Sequence, residues 1–121
     1  MPSRNTVEAF AAEVEAGRFV EAIEGFYAET ASMQENTDAP RVGRDALVAG
    51  EKQVLAAFAA STGRRLGPIL IDGDHVAIRW LFEFTTRDGA TRTLEEIAWQ
   101  RWEGEKIVEE QFFYDPKQLG R

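Results

Sequence analysis

Cysteine is absent from this 121-residue chain, and histidine occurs once, at His75. The first absence excludes disulfides, thiolate metal sites and a cysteine nucleophile. The second leaves the usual zinc sets without ligands. An excess of positive charge is also lacking. Against 21 acidic residues stand 14 basic ones, a net charge of −7, and the densest basic pair, Arg64-Arg65, is isolated. A phosphate backbone wants the opposite sign gathered on one face, so nucleic acid is not an expected partner. No apolar run reaches the ~18 residues a membrane span needs, and the start, MPSRNTVEAF, has no apolar signal core. Lack of cysteine suits a reducing cytoplasm, the expected compartment. A phosphate loop, a dinucleotide fingerprint and a serine elbow are missing. Asp72 and Asp74 open like a calcium loop, but Val76 and Ala77 stand where a ligand and a glycine are required. No metal and no cofactor are expected.

What is present suits a packed core. Hydrophobic residues make up 44% of the chain and charged residues 29%, with eight Phe, three Trp and two Tyr. Without repeats or linkers, residues 1–121 read as a single domain. Val7, Phe10, Ala11 and Val14 recur at helical spacing, with Asn5 and Glu8 as a capping pair and Gly17 as the stop. Phe19, Ile23, Phe26 and Tyr27 share one side of a second helix. A short extended piece, Ser32 to Glu35, leads through a loop to a third helix over 45–60, closed by Gly63.

From Leu66 onward the period becomes that of strands: Leu66 to Ile71, His75 to Thr86, Thr91 to Trp102 and Lys106 to Tyr114. Asp88-Gly89 signals a two-residue hairpin. In that register Leu81 faces Glu96, Arg79 faces Ala98 and Ala77 faces Gln100, sharing a face with Glu83. The opposite face then carries the row Ile78, Trp80, Phe82 and Phe84 with Trp99. The turn at Gly104 leaves two sets open for the last strand: Glu110, Phe112 and Tyr114, or Glu109, Gln111 and Phe113.

The order of elements, with GFYAETASMQEN leading into PRVGRDAL and the ending EEIAWQRWEGEKIVEEQFFYDP, resembles the nuclear transport factor 2-like superfamily, in its SnoaL-like, polyketide cyclase-like branch. The resemblance covers nearly the whole chain. It implies an α+β fold, a cone-shaped barrel in which three N-terminal helices pack on a curved, mostly antiparallel sheet. It is far less specific for activity, because relatives include isomerases, cyclases, dehydratases and transport factors.

Matched residue by residue, Glu35 falls where ketosteroid isomerase keeps its carboxylate base. The two oxyanion donors of that enzyme fall at Phe10 and Ala98, which can donate nothing. Steroid isomerisation by that mechanism is therefore rejected. The remaining expectation is a pocket for a small hydrophobic carbonyl compound, with Glu35, Glu96 and Glu110 as the acid–base groups. Tyr27, Arg79, Glu83, Gln100, Phe112 and Tyr114 would contact the ligand. His75 reads as an exposed turn residue. The alternative is a non-catalytic binding or dimerisation module, pairing as a homodimer through the aromatic sheet face.

Overall fold

The computed structural model describes residues 1–120, with three helices and seven strands among them. Helix α1 spans Arg4–Glu15 and buries the expected stripe of Val7, Phe10, Ala11 and Val14. Its cap is Ser3, whose side chain accepts from the Thr6 amide, rather than Asn5. Glu8 is drawn elsewhere, to Arg65, which also binds Glu15 and so ties the strand of residues 60–65 to α1. Gly17 ends the helix at φ +80°, a conformation that costs other residues a Cβ clash.

Helix α2 (Phe19–Phe26) stops one residue short of Tyr27, which begins strand β1 (Tyr27–Glu35). The extended piece is thus longer than the sequence pattern indicates, and Tyr27 belongs to the sheet. After β2 (Arg41–Val42), helix α3 runs over Arg44–Ala57. Gly63 does not close it. Residues Ala60–Arg65 form strand β3, and β4 is only Leu70–Asp72. Gly63 lies mid-strand for a steric reason: a Cβ there would come within 2.7 Å of the Phe82 ring.

Strands β5 (His75–Thr85), β6 (Thr91–Glu103) and β7 (Lys106–Phe113) complete a sheet in the order β2-β1-β7-β6-β5-β3, with β4 also on β5. All its pairings are antiparallel except β1 with β7. A short 3-10 turn, Pro116–Leu119, follows. The helices cover the concave face, where Ile78, Trp80, Trp102 and Ile107 meet Val7, Phe10 and Ile23 in one core. No helix among the described residues is long and apolar enough to cross a membrane.

The β5–β6 hairpin departs from the expected register by one residue. Its loop has three residues, Arg87, Asp88 and Gly89, closed by Thr86 N–H to Ala90 O at 2.8 Å and Gly89 N–H to Thr86 O at 3.0 Å. Gly89 takes φ +92°, the left-handed position such a loop requires. Leu81 therefore faces Glu95, Arg79 faces Ile97 and Ala77 faces Trp99, while Trp80 faces Glu96 and Ile78 faces Ala98. A one-residue slip exchanges the faces. The row Ile78, Trp80 and Phe82 turns inward beside Glu96 and Gln100, and Arg79 and Glu83 turn outward.

In β7 a two-residue turn pairs Glu103 with Lys106, and a bulge then shifts the register between Arg101 and Trp102. The bulge lets Ile107 and Glu110, three apart, both point inward and be buried. Of the two sets left open, Glu110, Phe112 and Tyr114 face the interior.

Gly63→Ala is expected to destabilise the fold by about 1–2 kcal/mol in urea unfolding, because the boxed Phe82 ring must move. The same change in a Phe82→Leu background should cost markedly less; equal costs in both would show that the ring is not the obstacle.

Candidate active site

Between the concave sheet and the helices lies a cavity of about 860 Å³, within the range of small-molecule sites. Its walls are mostly apolar, with the rings of Phe10, Phe19, Trp80, Phe82 and Phe112 prominent among the lining residues. The rings brace one another: Phe10 lies edge-on to Tyr27 at 6.0 Å, and Phe19 edge-on to Phe82 at 6.1 Å. Into this apolar space project Glu35, Glu51, Glu96 and Glu110.

Glu110 is held from below. The buried Trp102 indole N–H donates to Gln100 Oε1 at 3.0 Å, which orients the amide so that Nε2 donates to Glu110 Oε2 at 2.6 Å. The Tyr27 hydroxyl donates to the other oxygen, Oε1. Burial pushes the Glu110 carboxyl up to about 7 even though these two hydrogen bonds pull it down. Burial, and then the charge of Glu110, holds the Tyr27 phenol well above its ordinary range. Gln100 itself is fully buried behind the wall rather than part of it.

Glu96 lies on β6 opposite Trp80 and is only 8% exposed. Burial first, then the charges of Glu35, Glu110 and Glu51, push its carboxyl up to about 9. At neutral pH it is therefore a neutral acid. Glu51 of α3 is also raised, by burial, with Arg41 opposing the shift and Glu35 adding to it. Glu35, half-buried, lies 3.9 Å from the Arg41 guanidinium.

Six of the expected residues thus line one cavity: Tyr27, Glu35, Glu96, Glu110, Phe112 and Tyr114. Arg79 and Glu83 do not. Arg79 pairs with Glu95 at 3.5 Å on the outer face, and Glu83 is exposed there, both consequences of the three-residue hairpin loop. His75 is exposed at a strand start with its ring 5.4 Å from that of Trp99. Glu51, Arg41, Asp38 and Arg92 line the cavity without having been singled out. Glu51 left a signal in the sequence: it interrupts the apolar stripe of Leu47, Val54 and Leu55 on α3, which Phe58 follows at the cap. The other three occupy loops or strand ends, where periodicity carries no information.

Glu96 has a consequence for stability. Its carboxyl is raised in the fold, so between the unfolded pKa and about 9 the folded state holds a proton that the unfolded state has released. Stability conferred by that proton is complete below the unfolded pKa and declines as pH rises toward 9. Glu96→Gln should flatten this decline and stabilise the protein on the order of 2–4 kcal/mol at neutral pH. Parallel stability–pH curves for the two proteins would contradict the assignment.

No curated protein matches the chain. Solved structures with the same fold are many. One is a protein provisionally assigned as a SnoaL-like polyketide cyclase from Mesorhizobium loti (22% identity, TM-score 0.75, covering 91% of this chain and 97% of that one). Another is a nuclear transport factor 2-like protein of unknown function from Burkholderia pseudomallei (15%, 0.80, 95% and 92%). A third is TerC, co-crystallised with polyporic acid (15%, 0.80, 96% and 93%). At these identities the likeness establishes the fold. The family model for the SnoaL-like domain matches residues 7–110, and the chain belongs to that family.

Proposed function

We propose that the cavity binds a small hydrophobic carbonyl compound and that its carboxylates carry out acid–base chemistry on it, of the lyase or isomerase kind. The observation that carries this reading is Glu96, a carboxyl on an aromatic wall, buried among other carboxylates and neutral at physiological pH. A neutral carboxyl donates a hydrogen bond to a carbonyl oxygen and stabilises the enolate that forms when a neighbouring proton leaves. Glu35, half-buried in the cavity wall, accepts that proton from carbon and exchanges it with solvent. Glu110 anchors Tyr27 and Gln100 and, after burial and Glu35, adds to the environment in which Glu96 keeps its proton.

The isomerase-type donors missing at Phe10 and Ala98 have near neighbours. The Tyr27 ring lies 6.0 Å from that of Phe10, and Glu96 precedes Ala98 by two residues on the same face of β6. A neutral carboxyl is thus available from an adjacent position, whereas the Tyr27 hydroxyl is engaged with Glu110. The SnoaL-like family and a neighbour bound to polyporic acid support a small-molecule ligand.

The test is exchange of the α-protons of a bicyclic aryl ketone for deuterium, followed by NMR. Glu35→Gln should lower catalysed exchange by roughly 10²-fold or more while the ketone still binds. Unchanged exchange would remove Glu35 as the base. Binding without any catalysed exchange by the native protein would favour a non-catalytic binding module.

A second reading concerns the outer sheet face, where Ile97, Trp99 and Phe113 are 47%, 47% and 45% exposed. Apolar side chains gathered on one open face suit a homodimer joined sheet to sheet. The participants differ from those expected of the sequence, since Trp80 is buried within the cone and only Trp99 of that row lies outside. Sedimentation of the native protein at micromolar concentration should show a dimer that Trp99→Glu dissociates; a monomer in both cases would dismiss the interface.

A further inference from the structure

The acids lining the cavity outnumber its cations. Glu35, Asp38, Glu51, Glu96 and Glu110 face Arg41 and Arg92, and Arg41 is occupied with Glu35. Acidity alone does not make a site, but Glu96 adds an independent observation. It is more than nine-tenths buried and lines the cavity, and among the described residues neither a hydrogen-bond donor nor a cation is directed at it. A buried polar group without a partner is costly, and a ligand that supplies one is favoured by the same margin.

We propose that the cavity is a binding site for lipophilic ammonium compounds, with the cation seated against Glu96 and the hydrocarbon part against the aromatic walls. The proposal rests on the reading of the cavity as a small-molecule site and not on its being a catalyst.

Three arguments select this class. A metal ion is not favoured, because among the described residues no three carboxylate or imidazole groups converge closely enough to hold one. An anion would enter a field set by Glu35, Glu51 and Glu110. An organic cation is attracted by those charges and also suits the aromatic rings of Trp80, Phe82, Phe10 and Phe112 that line the cavity. Its weak hydration lets it leave water at lower cost than a metal ion.

Burial first, and then the charges of Glu35, Glu110 and Glu51, make Glu96 hold its proton, and a monovalent cation that fits beside the carboxyl offsets the same costs of ionising it. An ammonium ligand therefore competes with the proton and expels it. The groups facing Glu96 are Glu35 of β1, Glu51 of α3 and Glu110 of β7, with Tyr27 on Glu110 and Arg41 beside Glu35; β5 offers only the Trp80 ring opposite it. The two ligand classes use one carboxyl in two states: protonated it donates to a carbonyl, ionised it is the counter-ion of an ammonium group.

The experiment is titration calorimetry of the native protein with three naphthalene probes: naphthylmethyl-trimethylammonium, acetonaphthone and naphthylacetate. The quaternary probe cannot titrate, so its pH dependence reports the protein. Its affinity should rise by up to ~10-fold per pH unit from about pH 7.5, where most Glu110 is ionised, and level off above about 9. Release should approach one proton per ligand at the lower end of that window, measured in buffers of differing ionisation heat. Naphthylacetate should bind at least ~10-fold more weakly. Glu96→Gln should abolish the proton release and flatten the pH dependence. Ammonium binding without proton release, or release that survives in Glu96→Gln, overturns the proposal. Binding of acetonaphthone alone overturns it while leaving the small-molecule reading intact; binding of none of the three overturns both.

Discussion

Parity along β6 governs what meets inside the cone. Leu94, Glu96, Ala98, Gln100 and Trp102 alternate inward along this strand, and the strand on each side must present matching residues to the same face. On one side a three-residue loop with Gly89 in the left-handed conformation brings Trp80 opposite Glu96. On the other a bulge brings Glu110 opposite Gln100. Each device shifts one strand by one residue, and the apolar and acidic groups of the cavity adjoin because both shifts occur. Had the β5–β6 loop kept two residues, Trp80 and Phe82 would have faced away from Glu96; had β7 lacked its bulge, Glu110 and Phe112 would have faced away from it instead.

Burying several carboxyls in one apolar space requires that some be hydrogen-bonded and others be neutral. The molecule does both. Glu110 receives donors from Tyr27 and Gln100, the latter oriented by Trp102, whereas Glu96 retains its proton. Two identical side chains on neighbouring strands thus have different chemical roles, set by the donors within reach. Glu35 and Glu51 near Arg41 form a third environment, in which a cation offsets part of the repulsion.

Much of this was legible in the sequence, for reasons that differ by residue. Glu96 and Gln100 belong together whatever the register of the hairpin, because their spacing along one strand alone puts them on one face. Arg79 and Glu83 were misplaced because their face depends on loop length, and Asp88-Gly89 fits both a two-residue turn and the end of a three-residue one. Gly63 looked like a helix stop because a glycine tolerated for its missing Cβ is indistinguishable, in sequence, from one used for its φ. Tyr27 was assigned to the helix because its ring continues that apolar stripe while its backbone already pairs with Ile107. The bulge in β7 left no local signature; only the resemblance chose between its two sets of residues.

The three tryptophans end up in three different settings. Trp80 forms part of the cavity wall, Trp102 is sealed beneath it against Gln100, and Trp99 stands on the outer sheet face, about half exposed. The intrinsic emission of the protein is accordingly a sum of three separable reporters. A quencher confined to water reaches Trp99 first, a molecule entering the cone perturbs Trp80, and Trp102 changes only when the core itself opens. Single-tryptophan variants would turn one polypeptide into three optical probes, each reading a different event without an added label.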